Sequence, residues 1–488
     1  MKRNIITACI CMVFSLSACD NYLDVIPKGK AVLNTTEDYL GLLEQSDIEY
    51  PVDNFIYVSN EQSLINLAEL EGYKYPMLSS GFFWDESYDR ASYITDGESL
   101  SLLYNSCYSR IARYNILLDN MPDAQGPESE KTMGIAQAKT MRAYNYFFLL
   151  NTFAKPYNPV TAATDNGIIV RETFELESAG RQYSVAEVYA FILKDLNDAV
   201  GDLPEKSVNA YQPDKAFGYA LRAKVHLFMR NIDNALNDAL EVLKFSNHEL
   251  WDLSAELSAY VAQNPQFAAM DDMLYMMYRN TMMMQPRKVS HPENLLYCPS
   301  REGGAPAILR KYLKNTFDAQ ADLRYNLICN PSMPDRPTAE PGCLYYMNST
   351  LLLLNESGIR LSEVYLMIAE CYARKGNIEQ TLKYLNDLRK TRFYAKYYKD
   401  LVPSDVNNDK EKALKYVREE RARELFTSCN SFFDMRRFCT EFNETLTKTY
   451  TDVNGSTHTY TLKPDSHLLT FPFPVTAIQT TNLIQNSK

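Results

Sequence analysis

The stretch EGYKYPMLSSGFFWDESYDR, residues 71 to 90, sets Tyr73, Tyr75, Phe82, Phe83, Trp84 and Tyr88 among Asp85, Glu86, Asp89 and Arg90, without helical periodicity. That mixture suits recognition of a neutral sugar. Aromatic faces cover the apolar C–H surface of the ring, and carboxylates, amides or guanidinium groups bond its hydroxyls. Aromatics in a loop lack the helix partner that would otherwise cover them. A second loop, QPRKVSHPENLLYCPSREGG (285 to 304), places Arg287, Asn294, Tyr297 and Arg301 among prolines and glycines, with His291 read as a surface residue. Large aromatics usually end as core anchors, so every such candidate carries that alternative.

Enzyme chemistry finds little purchase. The five histidines, at 226, 248, 291, 458 and 467, form neither HExxH nor a close chelating pair. There is no GxSxG elbow, no phosphate-cradling glycine loop and no CxxC pair for zinc. A glycosidase needs two carboxylates flanking the scissile bond, but nothing selects one pair among 61 acids. The run REERARELF (418 to 426) reads as an ion-pair face, solvated or interhelical, with Glu419 and Arg423 at i,i+4 spacing. The expectation is a binding protein without catalytic residues, metal or cofactor.

Charge and the N-terminus narrow the partners. A net charge of −11 with no basic cluster argues against nucleic acid. Lys2 and Arg3 precede an apolar stretch, Ile5 through Ser15, that is too short to span a bilayer permanently. Leu16-Ser17-Ala18-Cys19 matches the bacterial lipobox, so residues 1–18 read as a signal peptide and Cys19 as the lipidated first residue of the mature chain. Two or three acyl chains, each contributing about 0.8 kcal/mol per buried CH₂, give stable anchoring. Asp20 and Asp24 resemble the acidic export signal of surface-exposed lipoproteins of Bacteroidetes. With Cys9 and Cys11 removed and Cys19 acylated, seven cysteines remain. Cys107 and Cys371 fall in helical patterns as core residues, whereas Cys298, Cys329 and Cys343 share a loop-rich region where one disulfide could form.

These residues must be positioned by helices. Ser184-x-x-Glu187 is a capping box ahead of Val185, Val188, Tyr189, Ile192, Leu196 and Ala199 on one face. AFGYALRAKVHLFMRNIDNALNDALEVL (216 to 243) and SEVYLMIAECYARKGNIEQTLKYLNDL (362 to 388) superpose at an offset of 146, Tyr219 on Tyr365, Ala223 on Ala369, Asn231 on Asn377 and Leu236 on Leu382. Each is a helix, a tight turn and a second helix, the plan of a tetratricopeptide repeat. Looser candidates are 98 to 119 with 131 to 153, and 184 to 200 with 213 to 230. Segments 50 to 97, 246 to 348 and 391 to 410 interrupt the repeats, and such insertions commonly carry binding. Within them MLYMMYRNTMMM (273 to 284) reads as a methionine-filled core strand. Near the end, Asn454-Gly455 centres a hairpin over 445 to 463 whose two faces are largely polar, hence a solvated surface ribbon.

Several phrases together resemble the RagB/SusD family of surface nutrient-binding lipoproteins: CDNYLD after the lipobox, YSRIARYN (108 to 115), RAYNYFFLLNTFAKPY (142 to 157), DLRY (322 to 325), RLSEVYLMIAECYARKGN, REERARELF with FFDMRRF (432 to 438), and the tail FPFP with Gln485-Asn486. They stand in the family's order along nearly the whole chain. One departure is that Thr427-Ser428-Cys429-Asn430-Ser431 replaces the family's acid-glycine-arginine element. The resemblance implies a mainly α domain, residues 19–488, with tetratricopeptide-like helix pairs near 98–153, 184–245 and 360–427. These would pack against an irregular, loop-rich half with a few short strands, and insertions near 50–97 and 246–348 would hold the ligand.

The resemblance also implies a lid on a SusC-like TonB-dependent outer-membrane transporter, capturing an oligosaccharide and delivering it by closing. Because family members place a stacking aromatic before the first repeat, it singles out Trp84, followed by Asp85, Tyr88 and Tyr73. Asn294, Tyr297 and Arg301 would complete the arc. Two other readings stay open, a helical-repeat scaffold lipoprotein in envelope assembly and a binder of peptide. Aromatic-rich insertions favour glycan.

Overall fold

In the computed structural model the described residues are 33–44, 53–63, 76–95, 98–174, 180–245, 247–283, 289–299, 308–328, 344–345, 355–426, 428–451 and 454–488. Cys19, Tyr73, Arg301, Cys329 and Cys343 lie outside them.

Ser184 and Glu187 form the reciprocal cap read from the sequence, and the helix Val185–Ala199 follows with Val185, Val188, Tyr189, Ile192, Leu196 and Ala199 buried. The two superposable repeats have matching turns. Arg230 (φ 63°) and Gly376 (φ 75°) both adopt the left-handed conformation that ends a helix, and Asn231 and Asn377 start the next at φ −87°, ψ 77° and φ −88°, ψ 84°. The first copy places an arginine where glycine is the unstrained choice.

Helix Ser99–Asn120 packs on Glu128–Phe153, which also packs on Val185–Ala199, and Lys215–Phe228 packs on Ile232–Val242. Leu361–Arg374 packs on Ile378–Arg392, on Lys410–Glu424 and back on Ile232–Val242, joining the repeats into one helical array. The strands are short and antiparallel: Asn166–Ile169 with Gln182–Ser184, Asn294–Leu296 with Ile359–Arg360, and Ile308–Leu309 between Gln62–Ser63 and Leu344–Tyr345. The architecture is thus mainly α, tetratricopeptide-like helices against a loop-rich half. Its core is aromatic. Phe55 lies 5.5 Å from the rings of Phe432, Phe433 and Phe471, and Phe153 stacks on Phe473 at 5.6 Å.

Buried ion pairs cross-link the array. Arg142 bonds both oxygens of Asp195 at 2.8 Å. Glu370 receives Arg437 through two bonds of 2.7 Å and Arg374 through one of 2.9 Å, while Asp434 receives Arg421 at 2.7 Å and Arg437 at 2.8 Å. Arg324 reaches Asp322, Glu420 and Glu424 at 2.7, 2.7 and 2.9 Å, and Arg392 joins Glu424 at 2.9 Å. DLRY, REERARELF and FFDMRRF are therefore parts of one interior charge lattice. The expected Glu419–Arg423 pair is corrected: Arg423 bonds Glu420 at 2.7 Å, and Glu419 faces Lys415. Arg423 turns inward because Glu420, fully buried, must be neutralised there.

Three other expectations are corrected. MLYMMYRNTMMM lies mostly in a helix, Asp271–Met283, because its buried residues Leu274, Tyr275, Tyr278 and Met282 recur at helical spacing. Met270, Met273 and Met276 are exposed beside them. His291 is buried, its ring edge-on to Trp251 at 5.0 Å. The hairpin, Leu446–Thr451 paired with Thr457–Leu462, is exposed along most of its length, yet Lys448 is fully buried. Its ammonium donates to Ser59 O and Phe82 O and lies 4.5 Å from the rings of Phe82 and Trp84. Cys107, Cys371 and Cys298 are buried free thiols.

Candidate functional site

The loop that opens the candidate site begins where helix Pro76–Phe83 stops. Gly81 lets that helix approach the helix Asp53–Val58, since a Cβ there would meet Val58 Cγ2 at 2.9 Å. Trp84 then turns left-handed (φ 49°), its N–H bonding Gly81 O and the Asp85 N–H bonding Ser80 O at 2.9 Å. This is a Schellman ending with tryptophan in the place glycine normally takes. A bulky side chain costs roughly 1–2 kcal/mol in that conformation, and the contacts of the indole offset it. Trp84 Nε1 donates to Val58 O at 2.7 Å, and Lys448 sits on the ring. Trp84 is 4% exposed and stands as a core anchor at the base of the loop.

Beyond Trp84 the chain runs over the surface, held by side-chain turns. Asp85 accepts from Ser87 N and Ser87 Oγ at 2.9 and 2.6 Å, and Asp89 accepts from Ala91 N and Ser92 Oγ at 3.1 and 2.7 Å. The Ser92 bond is the main cause that lowers the Asp89 carboxyl below its ordinary value. Tyr88 is half-buried and stacks on Tyr93, centroids 5.0 Å apart and planes 26° from parallel. Tyr93 is 48% exposed. Burial pushes the Tyr88 phenol well above its ordinary range. Arg90 fixes the far end of the loop, its Nη2 donating to His467 O and Thr470 O at 2.8 Å and to Ser487 Oγ at 2.9 Å. It has no carboxylate partner among these contacts, and burial draws it down to about 9.

The structure thus brings Asp85 and Tyr88 to one exposed loop and seats Trp84 beneath them. Asn294 and Tyr297 have other partners. Asn294 Oδ1 accepts from Asn355 Nδ2 at 2.8 Å, while Tyr297 is buried, with its N–H on Ala210 O at 2.6 Å and its ring edge-on to Tyr211 at 5.5 Å. Tyr93 is the aromatic that sequence reading passed over. It lies five positions after Tyr88, and only its place in the same non-periodic insertion marked it. Among the described residues no cluster of His, Cys, Asp and Glu could hold a metal ion, and no helix is long and apolar enough to cross a membrane.

Comparison with known proteins agrees with this architecture. A family model described as "SusD family" matches residues 354–480, and one described as "Starch-binding associating with outer membrane" matches residues 21–227. A SusD-like protein of Bacteroides ovatus is 34% identical over 113 residues, which is 22% of this chain and 19% of that protein. Among solved structures, a SusD superfamily protein from Bacteroides thetaiotaomicron superposes with a TM-score of 0.67 at 19% identity, over 93% of this chain and 100% of that one. A SusD-like carbohydrate binding protein from Bacteroides vulgatus gives 0.63 at 16% identity, over 93% and 98%. A laminarin binding SusD-like protein gives 0.60 at 17%, over 93% and 99%. With SusD family models matching both its N-terminal part and its C-terminal part, the chain belongs to the SusD-like family.

Proposed function

We propose that the chain is a surface-exposed, non-enzymatic lipoprotein that captures an oligosaccharide and passes it to a SusC-like TonB-dependent transporter. The observation that carries this reading is the exposed Tyr93 ring stacked on Tyr88, with Asp85 and Asp89 exposed on the same loop. Such a pair offers a rigid aromatic face to a sugar ring and acceptors to its hydroxyls at low entropic cost. The laminarin-binding neighbour and the family description that names starch and the outer membrane support a glycan and a membrane partner. In this reading residues 1–18 are the signal peptide, Cys19 carries the lipid, and 19–488 form one domain whose insertions near 50–97 and 246–348 bear the ligand.

The test is calorimetry with a polysaccharide panel that includes laminarin and starch, on wild type and Tyr93→Ala. Loss of an aromatic anchor should cost about 1–3 kcal/mol of binding, a fall in affinity of about 5- to 150-fold, with the melting temperature nearly unchanged. Binding that is undiminished in Tyr93→Ala would remove the platform from the reading.

A further inference from the structure

His467 stands between the loop that follows Trp84 and the tail of the chain, and its two ring nitrogens face different kinds of group. Nε2 lies 3.0 Å from Glu86 O, while Nδ1 lies 3.4 Å from Arg90 Nη2 and 3.5 Å from Ser487 Oγ. A carbonyl oxygen only accepts, so Nε2 must carry a proton. A guanidinium only donates, so Nδ1 must present its lone pair. Together the two demands select one form of the ring, the neutral imidazole protonated on Nε2.

An imidazolium fits poorly there. A proton on Nδ1 would point at the Arg90 cation, and the Ser487 hydroxyl beside it already accepts from Arg90 at 2.9 Å. The charged groups that face the ring are Arg90 and the exposed Glu86 from the loop and Lys488 from the tail, two cations against one carboxylate. Arg90, at about 9, keeps its charge through neutrality and below. Burial, the largest cause, draws the imidazole below its ordinary value, the Glu86 carbonyl opposes this, and Arg90 adds to it.

The same residue fastens the loop at two points. Its ring holds Glu86 O, and its main-chain oxygen takes Arg90 Nη2 at 2.8 Å. These points lie on either side of Tyr88.

We propose that His467 is a pH-dependent latch on segment 85–93, closed while its ring is neutral and released when the imidazolium forms. A ring that resists protonation only while latched makes the closed state complete above the ordinary value of 6.5, and that state is lost as pH falls through the lowered one. The release is local to the loop and leaves the ion pairs of the helical array in place. That sugar capture weakens with it in mild acid rests on the role proposed for Tyr88 and Tyr93. The latch itself does not.

The experiment is hydrogen exchange with mass spectrometry on the chain at about pH 7.5 and about pH 5, without glycan, using wild type and His467→Gln. Protection of the amides in 85–93 is taken relative to the unfolded chain at the same pH, so that the chemical rate cancels. The glutamine amide can donate to Glu86 O as Nε2 does but takes up no proton. Wild type should lose protection several-fold at the lower pH in this segment and not in the helix Val185–Ala199, whereas His467→Gln should be alike at both. Should the variant leave the segment unprotected at both, NMR of ¹³C-labelled histidines in the wild type decides, since the signal missing from the variant should titrate below 6.5. Titration at or above that value overturns the proposal. So does wild-type protection that is equal at the two pH values, or a loss that persists in His467→Gln.

Discussion

Arg437 and Glu370 meet as a two-point fork inside the helical array, Nη1 on Oε1 and Nη2 on Oε2, each at 2.7 Å across 67 positions of sequence. A pair buried this way is saturated on both sides and fixes the spacing of its helices. Removing one partner strands the other charge in the interior, so Arg437→Leu should lose about 3–5 kcal/mol in urea unfolding. A loss below about 1 kcal/mol, the range of exposed pairs, would show that water reaches the fork.

The same lattice makes the protein acid-sensitive. Burial alone would raise Glu420, but Arg324 and Arg423 outweigh it and hold the carboxyl down at about 2, against an ordinary 4.5. Glu370 and Glu424 are lowered further by their arginines. Depressed carboxyls contribute stability that is complete above the unfolded value and lost as pH falls through the folded ones. Denaturant midpoints should therefore hold above pH 4.5 and drop steeply from there toward about 2. Glu420→Gln should flatten that drop while lowering stability near neutrality, and an unaltered profile would contradict the assignment.

Trp84→Ala removes a buried indole, its bond to Val58 O and the seat of Lys448, and should lower stability by about 3–5 kcal/mol. Sugar affinity should change only as the loop above it loosens. A mutant that melts like wild type but no longer binds glycan would return Trp84 to the surface role its neighbours in sequence suggested.

Cys19→Ala should abolish metabolic fatty-acid labelling and yield either uncleaved precursor or released protein, because Leu16-Ser17-Ala18-Cys19 would lose the thiol proposed to accept the lipid. Labelling that persists in the mutant would refute the anchor.

The sequence was most legible where the determinant is local. Ser184 and Glu187 are three residues apart, and Asn231 and Asn377 announce the two matching turns without distant information. Side-chain direction in the insertions was not legible, because it depends on remote partners. Trp84 is drawn inward by Val58 and by Lys448, and the latter sits on a hairpin strand flanked by exposed threonines. The helix at Asp271–Met283 read as a strand because its methionines sit on both the buried and the exposed side and blur the period that Leu274 and Tyr278 mark. The Tyr88–Tyr93 pair needed the turn between them, which Asp89 makes through Ala91 and Ser92.

Arg90 ties that loop to the chain's tail across 377 to 398 positions, through His467, Thr470, Ser487 and the main-chain oxygen of Lys488. Synthesis runs from the amino end, so the loop is made early and its clasp late. Helices near it can form from neighbouring residues, whereas a contact of this span waits for the whole intervening chain and is slow to close. A recognition surface on that loop, as proposed, would therefore work as a check on length. A chain cut short of residue 467 would retain much of its helical array but hold Tyr88 and Tyr93 on an unfastened strap, and it would be a poor captor however well its repeats had folded.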